Sequence, residues 1–270
     1  SRYGQQSRDR FVRIKSRLAV GCVPPIDSGM NTRRSDSPQF GALVPDWTPP
    51  ATPEGAVMTG RYAALEPLNA DKHAALLFRA YEGEDHVWDY LPYGPFSSSA
   101  QYHRWVHSVT DKSDPVFFAV RNLDTGHFDG VLSLLRIDPA AGSIEVGHIN
   151  FSPALQRTPV ATEALFLTMQ WAFEAGYRRF EWKCDALNVP SRRAGQRLGL
   201  SYEGTFRQAT VYKGRNRDTA WFAAIDKEWP ALKEAFRVWL DPSNFNEEGH
   251  QIERLSDLTA LVRVTSDPTL

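Results

Sequence analysis

The chain has 270 residues, 42% hydrophobic and 23% charged, enough to bury a core and unlike a fibrous or disordered sequence. Its 31 Lys and Arg against 32 Asp and Glu give a net charge of −1, which argues against broad phosphate neutralisation and so against nucleic acid as a partner. No run approaches the ~18 apolar residues of a membrane span. Its 2 cysteines, Cys22 and Cys184, are too few and too far apart for a disulfide framework or a zinc site, so a reducing, cytoplasmic setting without a metal is expected.

The first 29 residues hold Arg2, Arg8, Arg10, Arg13, Lys15 and Arg17 against Asp9 and Asp27, with no sustained amphipathic period. Met30, followed by Asn31-Thr32-Arg33-Arg34, reads as a start for the natural protein, which would place residues 1–29 upstream of it. The rival reading is a transit peptide, since the tract is Arg-rich and acid-poor; its apolar run Leu18–Val23 is too short for a secretory signal. Pro45, Pro49, Pro50 and Pro53 then favour an extended linker over a helix. The expected division is an extended or disordered segment 1–55, a folded domain 56–240, and a tail 241–270 made of a short docking segment and a loose terminus.

Within the domain a strand near Tyr62–Leu65 leads to a helix that Asn69 or Asp71 can cap. Tyr102, Trp105, Val106 and Val109 follow the spacing i, i+3, i+4, i+7 and mark the apolar face of a second helix after Ser97-Ser98-Ser99. Three strands come next, Val116–Val120, Val131–Ile137 and Ile144–Phe151, separated by the turns Asp124-Thr125-Gly126 and Ala140-Ala141-Gly142. A helix over Val160–Glu174 stops at Gly176. Residues 179–186 then alternate: Phe180, Trp182, Cys184 and Ala186 point one way, while Arg179, Glu181, Lys183 and Asp185 form a wetter face. Asn188 can cap a short helix through Leu198, strands Ser201–Val211 and Thr219–Ile225 flank Lys213-Gly214-Arg215-Asn216, and an amphipathic helix Lys227–Leu240 ends at Asp241-Pro242.

Two junctions draw attention for chemistry. Glu145-Val146-Gly147-His148-Ile149-Asn150-Phe151, followed by Gln156-Arg157-Thr158-Pro159-Val160-Ala161-Thr162, is a strand, a loop and a helix start. Unpaired amides and the partial positive charge of a helix N-terminus suit such a loop to an anion such as a pyrophosphate. After the next strand, Asn188-Val189-Pro190-Ser191 with Arg193 and Arg197 opens another helix, and two adjacent parallel strands that splay apart would leave a slot for an extended ligand. His86–Phe96 packs Trp88, Tyr90, Tyr93 and Phe96 into a loop broken by Pro92, Gly94 and Pro95, which argues against a helix there. Arg207, Lys213, Arg215 and Arg217 cluster near the late hairpin, as a solvated turn or as partners for an anion.

These residues carry a resemblance. From about Gly60 to Lys227 the chain resembles the GNAT superfamily of N-acetyltransferases, close to the ribosomal-protein N-terminal acetyltransferases of the RimJ/RimL type. That family's loop, Gln/Arg-x-x-Gly-x-Gly/Ala, corresponds to Gln156 through Ala161; Gln156 and Ala161 match, whereas Pro159 replaces the first Gly and removes one amide donor. Arg157, Thr158, Val160 and Ala161 would then hold the pyrophosphate of acetyl-CoA, with Thr162 continuing the helix. The second signature, Asn-x-x-Ser/Ala before a helix ending in Gly-Phe, is met by Asn188, Ser191, Gly199 and Leu200, with Leu in place of Phe; Arg193 belongs to the same helix. Many family members place a Tyr seven residues after that Asn as the acid that protonates the leaving thiolate. Here Gly195 stands there, and the RimJ/RimL branch often lacks that Tyr.

The resemblance implies an α/β GNAT fold, a mixed and mostly antiparallel sheet of six or seven strands with helices on both faces and a splayed parallel pair. It also implies acetyl transfer from acetyl-CoA, as co-substrate, to an amine by direct attack in a ternary complex. Glu145, His148 and Asp185 become the candidate bases, and Asn188 should face the pantetheine or the reacting atoms. By strict alternation Glu145 and His148 face opposite sides unless Gly147 marks a bulge, which the family has at this strand. Each candidate also has a plain structural reading: a cross-sheet pair for Glu145, a satisfied histidine for His148, a solvated strand residue for Asp185. Trp88, Tyr90 and Tyr93 either line the acceptor pocket or cover the core. Cys184, on the apolar face, reads as core and not as a nucleophile. The acceptor is a small molecule or a protein N-terminus, the protein a monomer or homodimer, and the alternative function is an acyl-CoA-binding or regulatory module with weak turnover.

Overall fold

Eight strands form one sheet: β1 (Met58–Thr59), β2 (Ala63–Pro67), β3 (Val116–Asn122), β4 (Phe128–Asp138), β5 (Ser143–Phe151), β6 (Arg179–Asp185), β7 (Ser201–Tyr212) and β8 (Arg215–Ile225), in the order β1-β2-β3-β4-β5-β6-β8-β7. Only β5 and β6 run parallel; the other neighbours are antiparallel. The mixed, mostly antiparallel sheet is as expected, and the strand beyond the expected six or seven is β1, whose two residues are too short to show a period. This computed structural model describes residues 39–270, of which Trp47–Leu270 form one body and the preceding described residues a separate unit. The readings made for residues 1–29 and for Cys22 fall outside the described residues.

Helices cover both faces. On one, α1 (Ala70–Ala80), capped by Asn69, and α2 (Ser99–Thr110), capped by Ser98, bury Leu77, Tyr102 and Val106 against Phe117 and Val131. On the other, α3 (Pro159–Glu174) and α5 (Trp229–Trp239) pack on Leu132, Leu134, Phe180 and Phe222. Lying between sheet and α5, α3 is apolar almost all round, and each large side chain it buries is worth ~1.5–3 kcal/mol. Its one buried carboxylate, Glu163, accepts the amides of Arg61, Tyr62 and Ala63 at 2.9, 2.5 and 2.7 Å and so ties the β1–β2 turn to the helix. Gly60 is required in that turn, because a Cβ there would lie 2.4 Å from the Glu163 carboxyl carbon.

Two expected boundaries shift. The proline-rich stretch is extended but docked: the Trp47 indole donates to the Ala140 carbonyl at 3.1 Å, and the Tyr177 hydroxyl donates to the Ala51 carbonyl at 3.1 Å. The body therefore starts at Trp47 and not near Ala56. The terminus expected to be loose is tied down as well. After α5 come a 3-10 turn (Pro242–Asn244) and α6 (Leu255–Ala260), and then Val264 N donates to Ser201 Oγ at 3.0 Å and Asp267 N to Gln196 Oε1 at 2.8 Å. A short 3-10 turn (Asp85–Trp88) forms inside the aromatic loop, where no helix was expected.

Two irregularities of the sheet shape the site. Between β5 and β6 the register runs Ser143↔Arg179, Ile144↔Phe180 and Glu145↔Glu181 and goes no further, so the strands fork beyond Glu145. Between β4 and β5, Val131 faces Asn150 while Ser133 faces Gly147, so β5 carries one extra residue, and His148 takes it up at φ 49°. The wetter face expected on β6 is wetter at Arg179 and Lys183, which are half-buried, whereas Glu181 and Asp185 are buried and engaged by ion pairs and hydrogen bonds.

Candidate active site

The fork opens into a cleft of about 540 Å³. Its walls include Glu145, Gly147, His148 and Ile149 of β5, Lys183 to Asp185 of β6, Asn188, Pro190 and Ser191 at the start of α4 (Val189–Arg197), and residues of the aromatic loop. The bulge is what brings Glu145 and His148, three residues apart, to the same cavity.

Glu145 is 2% exposed, and its Oε2 is buried without an aligned hydrogen-bond donor. Arg136 Nε at 3.1 Å and Lys183 Nζ at 3.3 Å lie within ion-pair range of that oxygen. Burial raises the carboxyl's pKa to about 7, with Lys183 and Arg136 pulling the other way. A carboxyl so shifted can exchange a proton near neutral pH. His148 is shifted oppositely: burial, with the nearby Lys183 charge, lowers it to about 4, so the ring is neutral in ordinary buffers. Its Nδ1 is 2.9 Å from the Tyr93 hydroxyl. Burial keeps that phenol protonated, and His148 is the acceptor it has among the described residues, so we assign the imidazole proton to Nε2. His148 then presents a donor and not a base.

The other expected site residues divide. Asp185 lines the cleft, but its oxygens are engaged, Oδ2 by the Tyr212 hydroxyl at 2.8 Å and Oδ1 by the Leu187 amide at 2.9 Å, so it holds a loop and is not a free base. Asn188 caps α4, its Oδ1 accepting from Ser191 N at 3.1 Å. Ser191 Oγ accepts from Trp182 Nε1 at 3.2 Å, and its hydroxyl also stands against the Cys184 sulfur at the cleft wall. Cys184 also borders the cleft, but burial pushes its thiol pKa up, against a role as a nucleophile. A side chain at Gly195 would meet the Trp182 indole at 3.2 Å, so the Trp182 ring fills the place of an acid on that helix.

The aromatic loop is corrected in two of three places. Tyr90 lines the cleft and reaches the Leu187 carbonyl at 3.2 Å, whereas Trp88 is 4% exposed, edge-on to Tyr81 and Phe96 in the core, and Tyr93 stands behind His148, not in the wall. Sequence reasoning missed Arg136 and Lys183 as the partners of Glu145. Lys183 did fall on the polar face of β6, but the parallel register needed to place it beside Glu145 has no local signature.

At the head of α3, Thr158 is the cap and Pro159 the first helical residue, where a missing amide costs nothing. Thr158 Oγ1 accepts Ala161 N at 3.2 Å, so the Ala161 amide expected to hold an anion is already used. Among the described residues the amides of Arg157, Thr158 and Val160 have no such partner. Arg157 sits at φ 61°, and Gln156 Nε2 pins the loop to the Phe151 carbonyl at 2.8 Å. Free amides on a helix N-terminus beside a forked strand pair fit an extended ligand with a pyrophosphate. Thr162 is buried and accepts from Arg197 Nη1 at 3.2 Å, and Arg193 is exposed outside the cleft.

A family model described as the acetyltransferase (GNAT) domain matches residues 64–201, half of the chain and all of the cleft's lining except Arg217. The chain belongs to the GNAT acetyltransferase family. Among solved structures, a GCN5-related N-acetyltransferase from Brucella melitensis is 46% identical over 80% of this chain and 100% of that one, with a TM-score of 0.79. A probable acetyltransferase of the GNAT family from Chromobacterium violaceum is 42% identical over 77% of this chain and 100% of that one, with a TM-score of 0.68. The GNAT fold also extends to an acetyl transferase from Salmonella typhimurium that modifies the N-terminal serine of the 50S ribosomal subunit protein L7/L12; at 19% identity, 63% and 99% coverage and a TM-score of 0.55, that likeness is one of fold. No functionally curated sequence matches the chain. Among the described residues no helix is long and apolar enough to cross a membrane, and no group of three or more His, Cys, Asp or Glu is placed to hold a metal ion.

Proposed function

We propose that this GNAT protein acetylates a primary amine, on a small molecule or a protein N-terminus as in the RimJ/RimL branch, with acetyl-CoA as donor and in the cytoplasm. The observation that carries the reading is Glu145: a buried carboxylate with an unsatisfied oxygen, at the fork of the parallel strands, with a pKa near neutrality. Bound acetyl-CoA supplies the acyl group as a thioester whose sulfur is the leaving group. The amides of Arg157, Thr158 and Val160 hold its pyrophosphate, and the β5 edge beyond Glu145, with no strand partner on the β6 side, offers amides to polarise the carbonyl. An amine arrives protonated, with a pKa of ~8 for an α-amino group or ~10.4 for a lysine, and cannot attack in that form. Glu145 Oε2 accepts the proton the ammonium must lose before attack, and the departing sulfur takes up the further proton shed by the acylated nitrogen, with the Ser191 hydroxyl beside it as a hydrogen-bond donor where Gly195 supplies no acid. His148 Nε2 presents a hydrogen-bond donor to the acceptor, and no covalent enzyme intermediate is needed.

Thermal unfolding with and without acetyl-CoA tests the donor slot. At ~100 times its dissociation constant a ligand adds about 2.7 kcal/mol, a rise of a few degrees in Tm. Arg157→Glu, which puts a negative charge in the loop, should abolish that rise. An amine screen follows, with free thiol release as readout. Binding without turnover on any amine would favour an acyl-CoA-binding module, and no shift at millimolar acetyl-CoA would overturn the slot itself.

A further inference from the structure

The α4 wall of the cleft is held from behind by the C-terminal tail. This helix has nine residues, including Pro190 and Gly195, so its intrinsic preference does little to fix its place. Arg192, the residue after Ser191, is buried, and each nitrogen of its guanidinium makes a hydrogen bond. Nε and Nη2 donate to Asp267 Oδ2 at 2.8 and 2.5 Å, Nη2 also donates to Thr269 Oγ1, and Nη1 donates to the Ala186 carbonyl at 3.0 Å. The Asp267 side chain is completely buried. Ala186 lies in the loop between Asp185 and Asn188, both of which line the cleft. The same tail caps the far end of the helix, with Arg263 Nη1 on the Gln196 carbonyl at 2.8 Å and Thr259 Oγ1 on the Arg197 carbonyl at 3.0 Å.

We propose that Asp267 is a positioning residue for the acetyl-CoA side of the site: acting through Arg192, it sets the placement of the Ala186 loop and of the first turn of α4. This rests on the reading of the cleft as the acetyl-CoA slot. A buried ion pair is weak evidence for stability, since well-packed apolar residues often replace one without loss. An apolar replacement cannot hold the Ala186 carbonyl, however, and so separates positioning from folding. Small misplacements of binding groups cost up to about a hundred-fold.

The test is the double variant Arg192→Met with Asp267→Leu, its fold checked by thermal unfolding, with coenzyme A binding measured by calorimetry and KM determined for the amine. The expected result is a folded protein that binds coenzyme A about ten-fold more weakly with the amine KM unchanged. Unchanged coenzyme A affinity, or an equal loss on both substrates, would overturn the proposal. Should the double variant not fold, Thr269→Val keeps both charges and removes the hydroxyl that accepts from Arg192 Nη2 and donates to Asp267 Oδ1; it should weaken coenzyme A binding about two- to five-fold, and an unchanged value overturns the clamp. Wild-type protein that binds no coenzyme A overturns the reading of the cleft and the clamp with it, whereas tight wild-type binding with unaffected variants overturns the clamp alone.

Discussion

The two sides of the cleft are built from different materials. On the side proposed for acetyl-CoA the groups are mostly main chain: amides at the head of α3, which Thr158 caps, and the edge of β5 beyond the fork. On the side proposed for the acceptor they are side chains, Glu145, His148 and Tyr90, each with its character set by what stands behind it: Arg136 and Lys183 for the first, Tyr93 for the second, the Leu187 carbonyl for the third. A main-chain wall tolerates changes of side chain so long as the backbone keeps its path. A side-chain wall transmits every change in its support, so substitutions should hurt the acceptor side more.

The largest effect is expected at Glu145. Glu145→Gln should lower kcat by about 10²- to 10⁴-fold while leaving coenzyme A affinity within a few-fold. In the wild type, kcat/KM for the amine should rise with pH through about 7, and Glu145→Gln should remove that inflection; His148, lowered to about 4, cannot produce it. The sign of the stability change follows from the same shift. A carboxyl raised from 4.5 to about 7 on folding contributes stability that is full below pH 4.5 and lost as pH rises through 7. Above pH 7.5 the Gln variant should therefore be more stable than the wild type, by on the order of 2 kcal/mol. A loss of activity without that gain would mean that Glu145 is a well-satisfied structural carboxylate.

Tyr93→Phe probes the support of His148. Removing the hydroxyl leaves Nδ1 without its partner at an expected cost of about 1 to 1.5 kcal/mol, read as a roughly ten-fold fall in kcat/KM for the amine with coenzyme A binding unchanged. The opposite split would place His148 on the donor side.

Thr158→Ala tests the tolerance of the main-chain wall. Losing the cap should lower stability by ~1 kcal/mol. It also releases the Ala161 amide, so coenzyme A affinity should hold or improve slightly. A ten-fold loss of affinity would show that the threonine side chain, and not the backbone, makes the contact.

The same contrast explains what was legible in the sequence. The alternation of Phe180 to Asp185 and the cap at Asn69, one of the two residues expected for it, leave local traces and appear where expected, and the bulge that the resemblance implies near Gly147 falls at His148. Main-chain devices such as the Gln156–Ala161 loop have a spacing that can be read. Trp88, Tyr90 and Tyr93 do not, because an irregular loop has no period and nothing local says which ring faces inward. Arg136 and Lys183 were invisible as partners of Glu145 because their meeting depends on register between separate strands. The docking of the terminus beyond α6 leaves no such trace, because it rests on buried polar groups such as Asp267 and not on an apolar pattern.

The smallest effect is expected at Tyr90, the acceptor-side ring at the rim. It is 39% exposed, and its hydroxyl makes a long contact to the Leu187 carbonyl at 3.2 Å, a group that water can satisfy when the phenol is gone. Tyr90→Phe should therefore change stability by less than ~0.5 kcal/mol and the amine KM by no more than about two-fold. The ring itself stays in place, so a bulky acceptor stacking on it would lose little. A ten-fold rise in KM for the amine, with coenzyme A affinity intact, would instead mean that the bridge to Leu187 holds the mouth of the cleft in shape, and that side-chain control extends from the buried pair at Glu145 and His148 out to solvent.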